Sequence, residues 1–457
     1  MATRNLAVIL PYAVSIRDFV HTGTLEQLLA IPGLRMQIYT QNPDLPEFDS
    51  IRSDRVTIIE MMEPDASRFE QILKTIYPLL FHDTFYYIQH VLSGSLPKRL
   101  LARSLVGLRR LIGTRRCLRL YARLLLAAAR RHGPDQIVGT PDLVLATRST
   151  INSLDYGLLV EAARRGLPQL TAASSWDNFT TKGFFPFPVL RTIVWNRKMH
   201  DELVEIFDVP PDEITIAGYP RLRLLQRGAA AFDNAAAYLA EIGLPQYRRF
   251  VLYSASYAEL TRVPGVAAPR EYQLIREVAQ RLSAELPEDT GILVRLHPFS
   301  QAQDEAYFAA VPRLHVFVPG RGDRYVERVM SVADEAHLSA QLRLSECIVS
   351  MASTMTIDAL AMGRPILNVA FEPEGAPPAT ICNFYNFNHF RDLVAAVGAP
   401  LARNVDDVLA FVARCMAGDR DARIDGGAFE RLYVPVESTA YPHVVRRAVE
   451  DALAACR

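Results

Sequence analysis

Short apolar runs and helical stretches alternate along this 457-residue chain, stop near the middle, and then start again. In the first half the strand candidates are LAVILPY, RMQIYT, RVTIIE, DQIVGT, DLVLAT, LPQLTA and RTIVWN, separated by helical stretches such as GTLEQLLA and YGLLVEAARRG. In the second half RFVLYSAS, GILVRLHP and RLHVFVP alternate with EYQLIREVAQRLSAEL and a helical region over 326–345. Alternation of this kind buries a parallel sheet under helices on both faces. A chain this long also exceeds what one core usually holds. The expected fold is therefore α/β, with two Rossmann-like doubly wound domains facing a cleft. The first spans 1–225 and carries a basic helical insertion near 98–131. The second spans 226–430, with an Ala-rich link around 226–247. A helix within 431–457 closes the chain and is placed to pack back on the first domain.

Charge narrows the partners. Lys+Arg and Asp+Glu are both 50, so the net balance gives no reason to expect nucleic acid. Cys117, Cys347, Cys382, Cys415 and Cys456 show no metal or redox spacing and read as reduced thiols. The chain enters a strand at NLAVILPY with no leader-like segment, and no apolar run is long enough to span a bilayer. A cytoplasmic protein is expected, with possible peripheral attachment to the inner face of the plasma membrane. That second expectation comes from the interval between Asp83 and Asp135, which has no acidic residue. It holds Lys98, Arg99, Arg103, Arg109, Arg110, Arg115, Arg116, Arg119, Arg123, Arg130 and Arg131, interleaved with leucines at helical spacing. Such a surface suits anionic lipid, at about 1 kcal/mol per basic residue near the membrane. A solvated face, or a groove for a phosphorylated acceptor, is the competing reading. Phe81, Phe85, Tyr86 and Tyr87 just upstream are the candidate interfacial anchors.

One segment carries the chemistry. In CIVSMASTMTIDALAMGRPILN, residues 347–368, a short strand breaks at Ser-Met-Ala-Ser-Thr before a helix that Gly363 and Pro365 end. Ser353 and Thr354 stand at the helix start, either as plain caps or as part of an anion cradle built from unsatisfied amides. Two further strand ends belong to the same edge. Ser254 and Ser256 follow FVLY, and His297 with Pro298 follows ILVRL. Three such ends in one doubly wound half favour the cradle.

LVRLHP followed by CIVSMASTMTIDALAMGRPILNVAFEP resembles the C-terminal half of GT-B fold transferases of bacterial surface polysaccharides. These include CDP-glycerol glycerophosphotransferases, capsule Kdo transferases and bacterial sialyltransferases. FYNFNHF, 384–390, is similar to an aromatic-plus-His segment of that group. SSWDNFTTKG, VWNRKMHDEL and IAGYPRL are similar to landmarks of surface-carbohydrate transferases. The resemblance covers most of 140–395. It implies that His297, Ser353 and Thr354 hold a phosphate of the nucleotide donor. It does not separate CDP, CMP, UDP and GDP.

Transfer to a hydroxyl also needs a base, expected from the first domain. Asp18 is the first candidate and His21 the second, both in SIRDFVHTGTLEQL. Asp177, after Trp176, is the third. An ion pair with Arg17, or an Asx turn at Asp177, would account for the same residues. Lys182, Arg295 and Arg364 are candidates to neutralise diphosphate charge, and Glu372 to bind a ribose or sugar hydroxyl. Asp419-Arg-Asp421 lies in a hydrophilic loop and is not read as a metal site. Arg321-Gly-Asp323 is a chance tripeptide. No dinucleotide Gly-rich turn and no P-loop is present.

The expected function is a glycosyltransferase, acting without an obligatory metal or other cofactor. It moves a sugar from a nucleotide-activated donor to a hydroxyl of a surface-polysaccharide or lipid-linked glycan acceptor. The alternatives are a nucleotide-sugar 2-epimerase of the same fold, a glycerophosphotransferase, or a nucleotide-binding module without catalysis.

Overall fold

The computed structural model describes residues 3–62, 66–91, 95–129, 135–147, 154–300, 302–320, 330–376 and 380–456. Arg130, Arg131, the tripeptide at 321–323 and the start of the 326–345 region lie outside them. The chain forms two compact units, Met1–Pro220 with Glu430–Arg457, and Arg221–Phe429.

The first unit holds a 7-stranded sheet in the order β3-β2-β1-β4-β5-β6-β7. Its strands are β1 (Arg4–Leu10), β2 (Leu34–Thr40), β3 (Val56–Glu60), β4 (Leu143–Ala146), β5 (Gln169–Ala172), β6 (Arg191–Val194) and β7 (Ile214–Ile216). The second unit holds a 6-stranded sheet in the order β10-β9-β8-β11-β12-β13. Here the strands are β8 (Arg249–Ser254), β9 (Thr290–Arg295), β10 (Leu314–Phe317), β11 (Ile348–Ser350), β12 (Ile366–Val369) and β13 (Leu401–Ala402). The strand pairs run parallel in both sheets. Each chain half winds outward for three strands and then returns to the other flank of its first strand. β1 and β8 are therefore central and covered on both faces, and Leu6 through Leu10 are fully buried. That is why they read as unbroken apolar runs and not as alternating ones. The points of reversal, between β1 and β4 and between β8 and β11, leave a crevice at the carboxyl ends of the strands.

Several sequence expectations change. DQIVGT is not a strand, because β4 already occupies the place beside β1. The amides of Gln136 and Ile137 instead donate to the Glu161 carboxylate at 2.7 and 3.0 Å, and that of Val138 to the Tyr39 hydroxyl at 2.8 Å. The basic stretch is two helices, Leu96–Ile112 and Thr114–Ala128, broken at Gly113 with φ 83°. The 226–247 stretch is folded into the second unit: the Ala235–Glu241 helix buries Tyr238 and Leu239, and Gln341 donates to the Tyr238 hydroxyl at 2.7 Å. The closing helix, Tyr441–Ala455, is part of the first unit and sets its Tyr441 ring 6.4 Å from that of Phe19. The return path passes Gly218, at φ 94°, where an added Cβ would lie 2.1 Å from the Ser438 amide nitrogen. Only glycine fits that crossing.

An ion cluster organises the second unit. Arg221, 7% exposed, opens the Arg221–Gly228 helix. It donates to Glu335 at 3.2 Å and to Asp358 at 2.7 Å. Glu335 lies on the Val332–Leu344 helix and Asp358 on the Met355–Ala361 helix, so one guanidinium ties three helices together. Removing one member of a buried pair leaves a charge without its counterion, at a cost of about 3–5 kcal/mol. Arg221→Met should therefore lower the unfolding free energy of the second unit, read from urea titration, by about 3–5 kcal/mol; a change below about 1 kcal/mol would contradict this account.

Candidate functional site

Apart from Arg364, the sequence-predicted donor residues lie at the carboxyl edge of the second sheet. Ser254 at the end of β8 is in register with Ser350 of β11 on one side and Arg295 of β9 on the other. The chain segments leaving these three strands carry Ser256, His297 with Pro298, and Ser353 with Thr354. Ser256 and Ser353 with Thr354 leave the two strands that flank the reversal between β8 and β11, and His297 with Pro298 leaves β9, on the other side of β8.

Small hydroxyls build the floor. The Ser350 hydroxyl donates to the Ser254 carbonyl at 2.9 Å and lies 3.2 Å from that of Ser353. Ser353 Oγ accepts the Met355 amide at 3.2 Å, so it caps the helix that Thr354 precedes. The amides of Ser353 and Thr354 themselves meet no hydrogen-bond acceptor among the described residues, and both residues are only half-buried. The Met355–Ala361 helix is 7 residues long, so its dipole is short and these loop amides are the main donors. Thr356 on its buried face donates to Asn368 of β12 at 2.7 Å, and Tyr385 of the aromatic segment donates to the Val369 carbonyl at 2.7 Å. Both contacts fix the segment from below.

His297 is half-buried between two rings, with Tyr257 at 5.4 Å and Phe299 at 4.9 Å between centroids. Its Nδ1 accepts the Phe299 amide at 3.3 Å. The neutral ring then carries its proton on Nε2, a donor suited to a phosphate oxygen.

Other expected donor-site residues are occupied elsewhere. The Ser256 amide donates to both Glu271 oxygens, at 3.1 and 3.0 Å, and its hydroxyl also donates to Glu271. Arg295 is 4% exposed, donates to Gln341 at 2.9 Å and lies over the Phe317 ring. Burial and the nearby Arg221 cation push its pKa down to about 10. Arg364 precedes β12, at the amino edge, and donates to the Ser345 carbonyl at 2.6 Å. Glu372 Oε1 accepts the amides of Thr380, Ile381 and Cys382, at 2.8, 2.6 and 3.2 Å, and so caps a helix start.

The base candidates lie at the carboxyl edge of the first sheet. Asp18 is 2% exposed, inside a wide turn over Arg17–His21, and its Oδ1 accepts from Arg17 at 2.7 Å. His21, half-buried, ends the same turn. Asp177 is more open, with 21% of its side chain exposed. Its carboxylate accepts from the Thr181 hydroxyl at 2.9 Å and from Ser175, with Lys182 Nζ 3.5 Å away. Asp419 and Asp421 belong to an arginine-rich loop in which Asp419 pairs with Arg414 at 2.7 Å and Arg423 at 3.0 Å.

Sequence reasoning passed over Glu271, Tyr257 and Ser350. Glu271 left a trace: it opens the buried stripe Leu274, Ile275, Val278 and Leu282, a carboxylate where an apolar residue belongs. Burial pushes its pKa up from 4.5 to about 7, opposed by the hydrogen bonds from Ser256. The titratable groups facing it, Tyr253, Tyr272 and Tyr385, are phenols whose own pKa values are raised by burial and which stay neutral through this range. The folded chain thus keeps a proton that the unfolded chain releases. Stability from this group is full below pH 4.5, falls as pH rises, and levels off above 7, a loss of about 3 kcal/mol. Urea midpoints between pH 5 and 8 should show that slope, and Glu271→Gln should remove it; equal slopes in the two proteins would contradict the shift.

Solved structures of similar fold cover nearly the whole chain. The S. aureus MnaA–UDP co-structure has a TM-score of 0.55 at 10% identity, covering 99% of this chain and 97% of that one. The UDP-GlcNAc 2-epimerase from Methanocaldococcus jannaschii has 0.52 at 12%, covering 98% and 99%. The Neisseria meningitidis UDP-GlcNAc 2-epimerase bound to UDP-GlcNAc has 0.51 at 11%, covering 98% and 100%. At such identities the likeness establishes the fold, two Rossmann-like units of the GT-B class. No curated protein matches the sequence. A family model, described as CDP-Glycerol:Poly(glycerophosphate) glycerophosphotransferase, matches residues 170–449, which span every strand of the second sheet and the edge built above. The chain belongs to the CDP-glycerol:poly(glycerophosphate) glycerophosphotransferase family, and is a GT-B transferase acting on a nucleotide-activated donor.

Proposed function

We propose that the protein transfers a sugar from a nucleotide-activated donor to a hydroxyl of a surface-polysaccharide or lipid-linked glycan acceptor. The observation that carries this is the carboxyl edge of the second sheet, where the Ser353 and Thr354 amides meet no acceptor among the described residues and His297 Nδ1 accepts from its own loop, leaving the proton of the neutral ring on Nε2. In this reading the donor phosphate takes those amides and the imidazole proton. As the bond to the transferred group breaks, negative charge grows on the leaving phosphate, and fixed donors there stabilise it most. Asp177 takes the acceptor proton, with Ser175, Thr181 and Lys182 orienting its carboxylate. Asp18, sealed against Arg17, is a structural ion pair. Charge stabilisation by amides and imidazole needs no metal, so chelation is expected to leave the rate unchanged. Membership of this family favours a second reading on the same edge, transfer of glycerophosphate from CDP-glycerol.

A thermal-shift panel of CMP, CDP, UDP and GDP separates these readings by base, since a ligand of the native state raises Tm. His297→Ala should abolish the shift. So should Thr354→Pro, which deletes one amide at a φ of −58° that proline adopts. With the responding donor class, Asp177→Asn should lower kcat by about 100-fold or more. A panel without any shift would sink the donor site, and unchanged kcat would sink the base. Epimerisation of UDP-GlcNAc without any acceptor would favour the 2-epimerase.

The acceptor is proposed to be met at an anionic membrane surface. No helix among the described residues is long and apolar enough to cross a membrane. The two basic helices nevertheless expose Leu96 (66%), Leu100 (53%) and Leu111 (84%) beside exposed Lys98, Arg99, Arg103, Arg116 and Arg119. Arg109 is not part of that face: it is buried against Asp83 at 2.8 Å. Phe81 and Phe85 pack near Phe207 at 4.9 and 6.3 Å, leaving Tyr87 as the exposed aromatic there. The chain should sediment with phosphatidylserine vesicles at low salt and be released at high salt. The quadruple change Arg99, Arg103, Arg116 and Arg119 to Glu should abolish sedimentation; binding of that variant would refute the docking face.

A further inference from the structure

The carboxyl group of Glu271 serves no transfer step derived above, yet it is fully buried and bonded to Ser256, just past the end of β8. It sits in the first turn of the Arg270–Glu285 helix and its own amide donates to Thr261 Oγ1 at 3.3 Å. Three donor contacts from a single residue, Ser256, end on it. Ser256 is the second residue after β8, where the chain turns away from the sheet. The next residue is Tyr257, whose ring lies 5.4 Å from His297 and 5.9 Å from Phe299. Phe299 in turn donates its amide to His297 Nδ1. The imidazole is therefore held by a hydrogen bond from its own loop and lies near a ring whose backbone neighbour is anchored to a buried acid.

We propose that Glu271 is a positioning residue for transfer: by holding the amide and hydroxyl of Ser256 it seats Tyr257 against His297 and sets the imidazole toward the donor phosphate. This rests on the reading of His297 as a phosphate donor. A buried carboxylate suits the task because it accepts from two directions at once, and it is costly to leave without its donors. Neither Glu271 nor Ser256 touches the donor; both act through Tyr257.

The test is the His297 ring signal in histidine carbon–proton NMR spectra, assigned with His297→Ala. In the wild type the Tyr257 ring should displace that signal by its ring current, and the nucleotide of the panel that raises Tm should move it further. Glu271→Gln, which still accepts from Ser256, should keep the displacement, whereas Glu271→Ala should lose it. Should Glu271→Ala fold poorly, Ser256→Ala, which deletes the hydroxyl contact alone, and Tyr257→Leu, which deletes the ring, are expected to reduce and abolish it respectively. A His297 signal unchanged in Glu271→Ala, or in Ser256→Ala and Tyr257→Leu together, overturns the proposal. If the variants lose the displacement as expected but CMP, CDP, UDP and GDP never perturb the signal in the wild type, the positioning of His297 stands and its role toward the donor phosphate falls.

Discussion

A guanidinium buried between two carboxylates holds the second unit in the form the donor edge requires. Arg221 reaches Asp358 at 2.7 Å, and Asp358 belongs to the helix that begins just after Thr354. That helix is only 7 residues long. Its position is therefore set by what grips its buried face: Arg221 through Asp358, and Asn368 through Thr356. Ion pairs of this kind contribute little net stability against an apolar alternative, because desolvating the charges offsets their attraction. Their value is directional. A hydrocarbon contact tolerates sliding, whereas a guanidinium shared between two fixed carboxylates does not.

Polar groups in this unit sort into two layers. The lower layer is closed: Arg295 is hydrogen-bonded to Gln341 and Glu271 to Ser256, and Arg221 is paired with its two acids. The upper layer, at the ends of β8, β9 and β11, is half-open and rich in hydroxyl and amide donors. The same division explains why Arg295, the strongest cation near the edge in sequence, has no free face to offer. Its guanidinium is turned down onto Phe317 and Gln341.

The first unit shows how similar residues take different roles. Asp18 and Asp177 both follow a strand at the carboxyl edge. Asp18 has Arg17 as its sequence neighbour and a closing helix that brings Tyr441 over the same turn, so it is sealed. Asp177 is surrounded by hydroxyls and the half-exposed Lys182 and keeps contact with solvent. The closing helix comes from residues beyond 430, far away in sequence, and no local pattern around Asp18 announces it.

Much of the architecture was written in local pattern. Apolar runs with helical stretches between them specify a parallel sheet, because a parallel crossover demands a helix and two covered faces demand continuous apolar strands. The His-Pro and Ser-Thr strand ends were visible for the same reason, since a doubly wound sheet presents all carboxyl ends at one edge. DQIVGT shows the limit: it has a strand's composition, but a sheet has one place beside β1, and β4 took it. The fates of Ser256, Arg295, Glu372 and Asp18 were likewise undecided by composition. Whether a polar side chain faces a ligand or a partner depends on which distant donor or acceptor arrives first at hydrogen-bond distance. Glu271 for Ser256, Gln341 for Arg295 and the amides of 380–382 for Glu372 are supplied by tertiary packing alone.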